Sequence, residues 1–293
     1  MRALILSNPI AGSGRAEGKA RALIARLEER GVRCEHLATH ARGEARAFAS
    51  ERSRGFDLVV AVGGDGTLNE VIDGLPQDAP PLGLLPAGTA NVLAHELGLP
   101  VEGAPCADVL LAGHRRELDL MRVNGRVSFL MVGVGFDAAV LLELERRRRG
   151  PISKLSYLRP IAQAFARYRM PELAVSIDGA PFAPCSQAFF TNVRWLGTPL
   201  LRFDHAPRHG DGAIESYLLH GSSRGALPAW ALRFAFARVA GAGEFRRVRR
   251  ARIEAAEPVP YQIDGDFAGT TPLELEVLPR PLTLLAPPAR NAP

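Results

Sequence analysis

The chain reads as an α/β N-terminal domain with a layered parallel sheet, followed by a mostly antiparallel, β-sandwich-like C-terminal domain. Three observations predict this. Over residues 1–117 apolar strand runs alternate with helical patterns, as layered parallel folds require. Three polar or glycine-rich loops, at 8–14, 63–67 and 86–91, each follow a strand and so should gather on one sheet edge. From 118 to 293 the pattern changes to short strands and hairpin signals such as Asn124-Gly125 and Asp178-Gly179.

In order, Arg2–Ser7 is a strand, and Ala16–Arg30 is a helix with Leu23, Ile24 and Leu27 on its apolar face. Val32–Leu37 is a strand, Arg42–Arg54 a helix and Leu58–Val62 a strand of branched, buried type. Leu82–Leu85 is a fourth strand, with a helix ending at Leu97. Leu118–Val123 and Arg126–Val134 should be the two arms of a hairpin. Further strands are expected at Leu173–Ile177, Ala188–Val193, Ala213–Leu219, Val248–Ala255, Val259–Ile263 and Leu273–Val277. Helices interrupt them at Lys154–Arg169 and Arg224–Ala240, and the last strand is free to return to the first domain. The tail, Pro287–Pro293, reads as loose.

The 293 residues are 47% apolar and 23% charged, an ordinary balance for a packed protein. A net charge of +5 and a pI near 9.5 favour anionic partners. Basic residues are not interleaved with aromatic stacking positions, so nucleic acid is not among the expected partners. Cys34, Cys106 and Cys185 are odd in number and lack metal-ligand spacing, which suits reduced thiols in the cytoplasm. No apolar stretch reaches membrane-span length, so membrane contact should be peripheral. A homodimer is left open.

The most informative stretch is VVAVGGDGTLNEV, Val59 to Val71. A strand enters a turn in which Gly63, Gly64 and Gly66 lack Cβ atoms, so backbone can approach a bulky ligand. Thr67 should cap the following helix, with Glu70 as its capping-box partner. A helix N-terminus behind a glycine loop is a ready phosphate site. Asp65 is the unusual residue, since a carboxylate beside phosphate makes sense with a divalent cation or a transferable proton.

With NPIAGSGRA at 8–16, PLGLLPAGTANVLAHELGLP at 81–100, ELDLMRVNGRVSFLMVGVGFDA at 117–138, HAPRHGDGAIE at 205–215 and YQIDGDF at 261–267, the chain resembles the diacylglycerol kinase catalytic-domain family. These are soluble bacterial lipid kinases related to sphingosine and ceramide kinases. The resemblance implies an ATP site in the cleft between the two domains and transfer of the γ-phosphate to a lipid hydroxyl with Mg²⁺. It implies that Gly63, Gly64, Asp65, Gly66, Thr67, Leu68 and Asn69 cradle the ATP phosphates. Thr39, Gly88 and Thr89 would add nucleotide contacts, and Asn8 and Gly12–Gly14 would shape the pocket. From the residues alone, Thr39 is also an ordinary strand-end threonine and Thr89 a plain helix cap.

In the family an acid of a late Asp-Gly-Glu motif activates the lipid hydroxyl. Here the motif is Asp264-Gly265-Asp266, one methylene shorter at its end, so either acid could serve; a bare Asp-Gly surface turn is the alternative. Asp65 would hold or orient the catalytic Mg²⁺, or lie close enough to tune the proton transfer. By resemblance, a structural Mg²⁺ would sit on the Asp211 side chain and the carbonyls of Arg208 and Ala213. On spacing alone His205/His209 suggests a transition-metal site, but the proline and glycine of the segment argue against a helix that would align the rings; His36/His40 straddles a strand end and reads as structural or exposed. After Asn192 the family's glycine-rich segment is replaced by bulkier residues, which leaves the acceptor lipid open. The basic runs Arg146–Arg149 and Arg246–Arg252, and the apolar residues Tyr157, Leu158, Ile161 and Phe165, are candidates for docking on an anionic lipid surface. An NAD kinase and a non-catalytic nucleotide- or lipid-binding regulator are the alternatives.

Overall fold

The structure is a computed structural model that describes residues 1–12, 14–146, 157–198 and 200–288. It divides into two units: Met1–Leu118 with the chain from Arg280 onward, and Asp119–Pro279.

The first unit is a six-stranded sheet between helices. β1 (Arg2–Ser7), β2 (Arg33–Ala38), β3 (Leu58–Gly63) and β4 (Leu82–Pro86) pair in parallel in the order β2-β1-β3-β4. The chain's last strand, β18 (Leu282–Leu285), lies parallel beside β4, and β5 (Arg115–Leu118) pairs antiparallel with it at the edge. Period-2 alternation divides the core. Ala3, Ile5, Val60 and Val62 pack with Leu23 and Leu27 of α1 (Arg15–Glu29) and Cys106 and Leu110 of α5 (Gly103–Ala112). The alternate residues Leu4, Leu6, Val59 and Ala61 are equally buried, on the side of α2 (Glu44–Arg52) and α3 (Asp65–Gly74). α4 (Val92–Leu97) completes the unit.

The second unit is a sandwich of two six-stranded antiparallel sheets. One runs Ala183–Cys185 (β10), Leu173–Ile177 (β9), Arg250–Ala255 (β14), Leu273–Val277 (β17), Met121–Val123 (β6) and Arg126–Ser128 (β7). The other runs Gly243–Val248 (β13), Ile214–Leu219 (β12), Gln187–Thr191 (β11), Met131–Val134 (β8), Pro260–Ile263 (β15) and Asp266–Thr270 (β16). Met121, Val175, Ile253 and Leu275 from the first meet Val132, Phe190, Ile214 and Ile263 from the second in one buried cluster. The helices are α6 (Phe136–Glu145), α7 (Leu158–Arg167) and α8 (Ala226–Ala235).

Two expected strands are each split by a change of sheet. The hairpin arm Arg126–Val134 ends at Ser128, and the chain crosses at Phe129–Leu130 to become β8. Val248–Ala255 likewise belongs to β13 and β14, with the Asp178 carboxylate accepting the N–H groups of Arg249 and Arg250 at the corner. The two-residue turns at Asn124-Gly125 and Asp264-Gly265 have positive φ at both positions, the type I′ signature. Both C-terminal helices are shorter than expected. α8 stops before Ala237, whose φ is +50°, and Lys154–Ser156 lie outside the described residues, as do Arg147–Arg149 and the end of the tail. No described helix is long and apolar enough to cross a membrane.

Candidate active site

The three glycine-rich or polar loops converge at the carboxyl ends of β1, β3 and β4. Backbone bonds lock those ends together: Asn8 N–H to Val62 O, Thr39 N–H to Ser7 O and Ala87 N–H to Gly63 O, at 2.8–3.0 Å. A Cβ on Gly88 would stand 2.5 Å from the Gly64 Cα, and one on Gly12 would stand 2.1 Å from the Ala87 carbonyl oxygen. These glycines therefore allow loop to pack on loop, whereas Gly14 and Gly66 face open space where a ligand can approach. Asn8 Nδ2 reaches Thr67 Oγ1 at 3.4 Å, and Asn91 bonds both the N–H and the carbonyl of Gly88. A cavity of about 710 Å³ beside them is lined by Gly14, Arg15, Lys19, Gly88 and Asn91.

Helix α3 starts at Asp65, three residues earlier than a Thr67 cap would place it, because the extended Gly64 takes the cap position. Thr67 is buried inside the first turn and caps nothing; Leu68 is fully buried and supports the loop from within. Thr89 is exposed and is not the cap of α4, a position that Asn91 takes. Asp65 Oδ2 accepts the N–H of Val92 at 3.1 Å, at the start of α4, while its Oδ1 is buried without a hydrogen-bond partner among the described residues. Burial pushes the Asp65 carboxyl above its ordinary range, against the N–H groups of α4 that favour its charge.

In the second unit the two late acids have separate surroundings. The Asp264 carboxylate turns inward and accepts from Ser128 Oγ (2.7 Å) and from the N–H groups of Phe129, Leu130 and Met131 (2.9–3.1 Å). These are the residues at which the chain changes sheets. Burial raises the Asp264 pKa, opposed by those four donors. Asp266, past the turn, is exposed and has no side-chain partner among the described residues. The motif is thus a β-turn, but one whose first acid is structural and whose second is free.

A buried network holds the same turn from behind. Gln262 Oε1 accepts the Gly265 N–H at 2.8 Å, and Gln262 Nε2 donates to Asp137 Oδ2 at 3.1 Å. Asp137 Oδ1 accepts from Gln187 Nε2 (2.8 Å), whose Oε1 accepts the Phe136 N–H. Asp137 fixes which way both amides point. Burial pushes its carboxyl up to about 6.

The 205–213 segment holds a third group of acids. The buried Asp119 carboxylate accepts the N–H groups of Gly210 (2.6 Å) and Gly212 (3.0 Å). The Asp211 carboxylate is bonded by the Arg247 guanidinium, which also donates to the Ala213 carbonyl at 2.8 Å. Arg208 offers its N–H to Glu215 Oε1. The oxygens expected to hold a structural Mg²⁺ on Asp211 and Ala213 are thus already bridged by a cation of the protein. The arginine beside Asp211 keeps its carboxyl below the usual range. His205 stacks on Phe245 and bonds Tyr217 through Nδ1, whereas His209 Nε2 donates to the Asn192 carbonyl, so the pair is structural. No cluster of three or more His, Cys, Asp or Glu suited to a metal occurs among the described residues.

Sequence reasoning missed Asp119, Asp137, Gln187 and Gln262, and read Arg247 as part of a basic run for lipid docking and not as the partner of Asp211. Apart from the Gln262–Gly265 bond within the turn, their partners lie 32 to 125 residues away, and only the motif strings LDL, GFD and YQIDGD hinted at them.

Comparison with known proteins places these units. Residues 2–123 match the diacylglycerol kinase catalytic domain, and residues 130–286 match the YegS C-terminal NAD kinase beta sandwich-like domain. The chain belongs to the diacylglycerol kinase catalytic-domain family, and is a lipid kinase that phosphorylates an alcohol group. A Mycobacterium tuberculosis diacylglycerol kinase is 31% identical, over 96% of this chain and 94% of that protein. A Bacillus subtilis diacylglycerol kinase is 26% identical, over 98% and 96%. In fold, a Bacillus anthracis diacylglycerol kinase crystal structure superposes with a TM-score of 0.75 at 19% identity, covering 98% of this chain and 97% of that one.

Two predictions follow from the acid turn and the network behind it. D264A strands three backbone N–H groups and a hydroxyl, and should lower the unfolding free energy by about 3 kcal/mol in urea melts. D264N keeps one acceptor oxygen and an αL-tolerant side chain, and should cost about half as much. For Asp137, a raised folded pKa means the native state holds a proton that the unfolded chain releases. Its contribution is therefore full below the unfolded value, about 3.9, and is lost as pH rises through about 6. Between pH 4 and 7 the wild type should lose roughly 1–3 kcal/mol relative to D137N.

Proposed function

We propose that this chain transfers the γ-phosphate of ATP to the hydroxyl of a diacylglycerol-like lipid. The family membership supports the reaction class, and the observation that carries the assignment of roles is the division of the late acids. Phosphoryl transfer asks for cradled phosphates, neutralised charge and an acceptor for the hydroxyl proton. In this reading Asn8, Gly12, Gly14, Thr39, Gly63–Asn69, Gly88 and Thr89 form the ATP site, with open space over Gly66 at the start of α3. Asp65 fits a Mg²⁺ that arrives with ATP, because its buried Oδ1 lacks a partner among the described residues. When bound, that ion would neutralise phosphate charge. Asp266 takes the hydroxyl proton, and Asp264, bonded four times to 128–131, positions the turn that presents it.

Helix α7 supplies a face for the lipid surface. Leu158, Ile161 and Phe165 are 65%, 43% and 39% exposed on one side, while the small residues Pro160 and Ala164 pack inward. The helix has no acid and carries Arg159 and Arg167 beside the apolar stripe. An apolar face turned outward and edged with arginine suits peripheral binding at an anionic bilayer.

With dioleoylglycerol in detergent micelles, Mg²⁺ and labelled ATP, the wild type should form phosphatidic acid, and NAD in place of lipid should give no ADP. D266N should lower kcat by roughly 10²–10⁴ with an unchanged melting temperature, whereas full activity in D266N would remove the base assignment. In flotation assays the protein should rise with phosphatidylglycerol vesicles and much less with phosphatidylcholine. The double variant I161E/F165E should stay at the bottom while retaining activity on micellar substrate; equal flotation would count against the α7 face.

A further inference from the structure

We infer that Arg247 is the resident cation of the 205–215 segment, doing the work that the family resemblance assigns there to Mg²⁺. The inference stands on the second unit alone and is independent of which lipid is phosphorylated.

Three carboxylates converge on this segment. Asp119 binds the N–H groups of Gly210 and Gly212, Asp211 lies between those two glycines, and Glu215 is the second residue of β12, with its side chain only 3% exposed. Acids so close repel one another unless a cation lies among them. Arg247 comes from β13 directly across from Glu215, in register with it. One guanidinium nitrogen donates to both Asp211 Oδ1 and the Ala213 carbonyl, and Nε lies 3.4 Å from Glu215 Oε1. Glu215 Oε2 has no hydrogen-bond partner among the described residues, and the Arg247 charge acts on this carboxylate.

A divalent ion fits poorly beside such a group. Mg²⁺ demands near-octahedral oxygen at about 2.0–2.1 Å and gives up water reluctantly. Two of its three expected protein donors point at an N–H, and an ion bonded to both would sit against a permanent positive charge. Guanidinium, by contrast, is planar, always charged and shaped to span a carboxylate and a carbonyl. It is also tethered by the β12–β13 ladder, so its occupancy does not depend on the free metal concentration. The segment leading into β12 is therefore ordered by a side chain.

The test uses the full chain without nucleotide, comparing amide hydrogen exchange across 208–213 in EDTA and in millimolar MgCl₂. Wild-type protection and melting temperature should be the same in both. R247Q, which keeps the aliphatic stem and a polar end but removes the charge, should lose protection at the Gly210 and Gly212 amides by about tenfold in EDTA. R247K, which keeps the charge without the fork, should fall between the two and guards against a fold-wide defect in R247Q. The inference is overturned if Mg²⁺ protects the wild-type segment and D211N abolishes that effect. It is equally overturned if R247Q exchanges like the wild type in EDTA.

Discussion

The second unit depends on one carboxylate. At Phe129–Leu130 the chain leaves one sheet for the other, and a crossing strand cannot keep its ladder bonds through the corner. Asp264 accepts the N–H groups of Phe129, Leu130 and Met131 and the hydroxyl of Ser128, and so satisfies the stretch that neither sheet can. The same bonds fasten the β15–β16 turn to the middle of the unit, where β8 and β15 already pair. A type I′ turn places its first residue at φ +52°, which lets the carboxylate fold back under the turn while Asp266 resumes the strand in the open. One acid therefore builds the platform and its neighbour stays available.

The first unit solves a related problem with absent side chains. Three loops must meet within van der Waals distance at a sheet edge and still leave room for an anion. Gly12 and Gly88 remove the Cβ atoms that would strike Ala87 and Gly64, so the loops brace one another without ligand. Asp65 then bridges the start of α3 to the start of α4, where helix N-termini favour a negative charge. A site braced in this way is arranged before its ligand comes, which lowers the ordering cost of binding.

Much of this was legible in the sequence. The strand-loop alternation to residue 117, the three loops on one edge and the change to antiparallel pairing all follow from period and turn chemistry, which are local. Nonlocal partners were not legible. Nothing around Arg126–Val134 announces a change of sheet, because the acid that makes it possible lies 133 to 136 residues away. The Thr67 capping pattern misled for a similar reason. The helix begins directly after Gly64, and the Thr67 hydroxyl is drawn into the packing under Gly63 and toward Asn8. Arg247 reads as one member of a basic run, and its place among three acids follows only from the register of β12 on β13.

A single device recurs across these cases. Asp65 receives an N–H from the start of α4, Asp119 from Gly210 and Gly212, Asp178 from Arg249 and Arg250, Asp204 from Val239 and Ala240, and Asp264 from the 128–131 crossing. In each, backbone that leaves regular structure has donors that no ladder can take. A short acid with two oxygens takes several at once, at positions where burial would otherwise leave them unmet. Such acids are tied to loop geometry, and, the Asp65 Oδ1 apart, their carboxylates are already engaged by the protein. An acid meant to accept a proton from a substrate needs the opposite condition, an oxygen that the fold has not claimed. Within the late turn that condition belongs to Asp266 and not to Asp264, which is why the proposed proton acceptor is the second acid of the motif even though it is the one that departs from the family's glutamate.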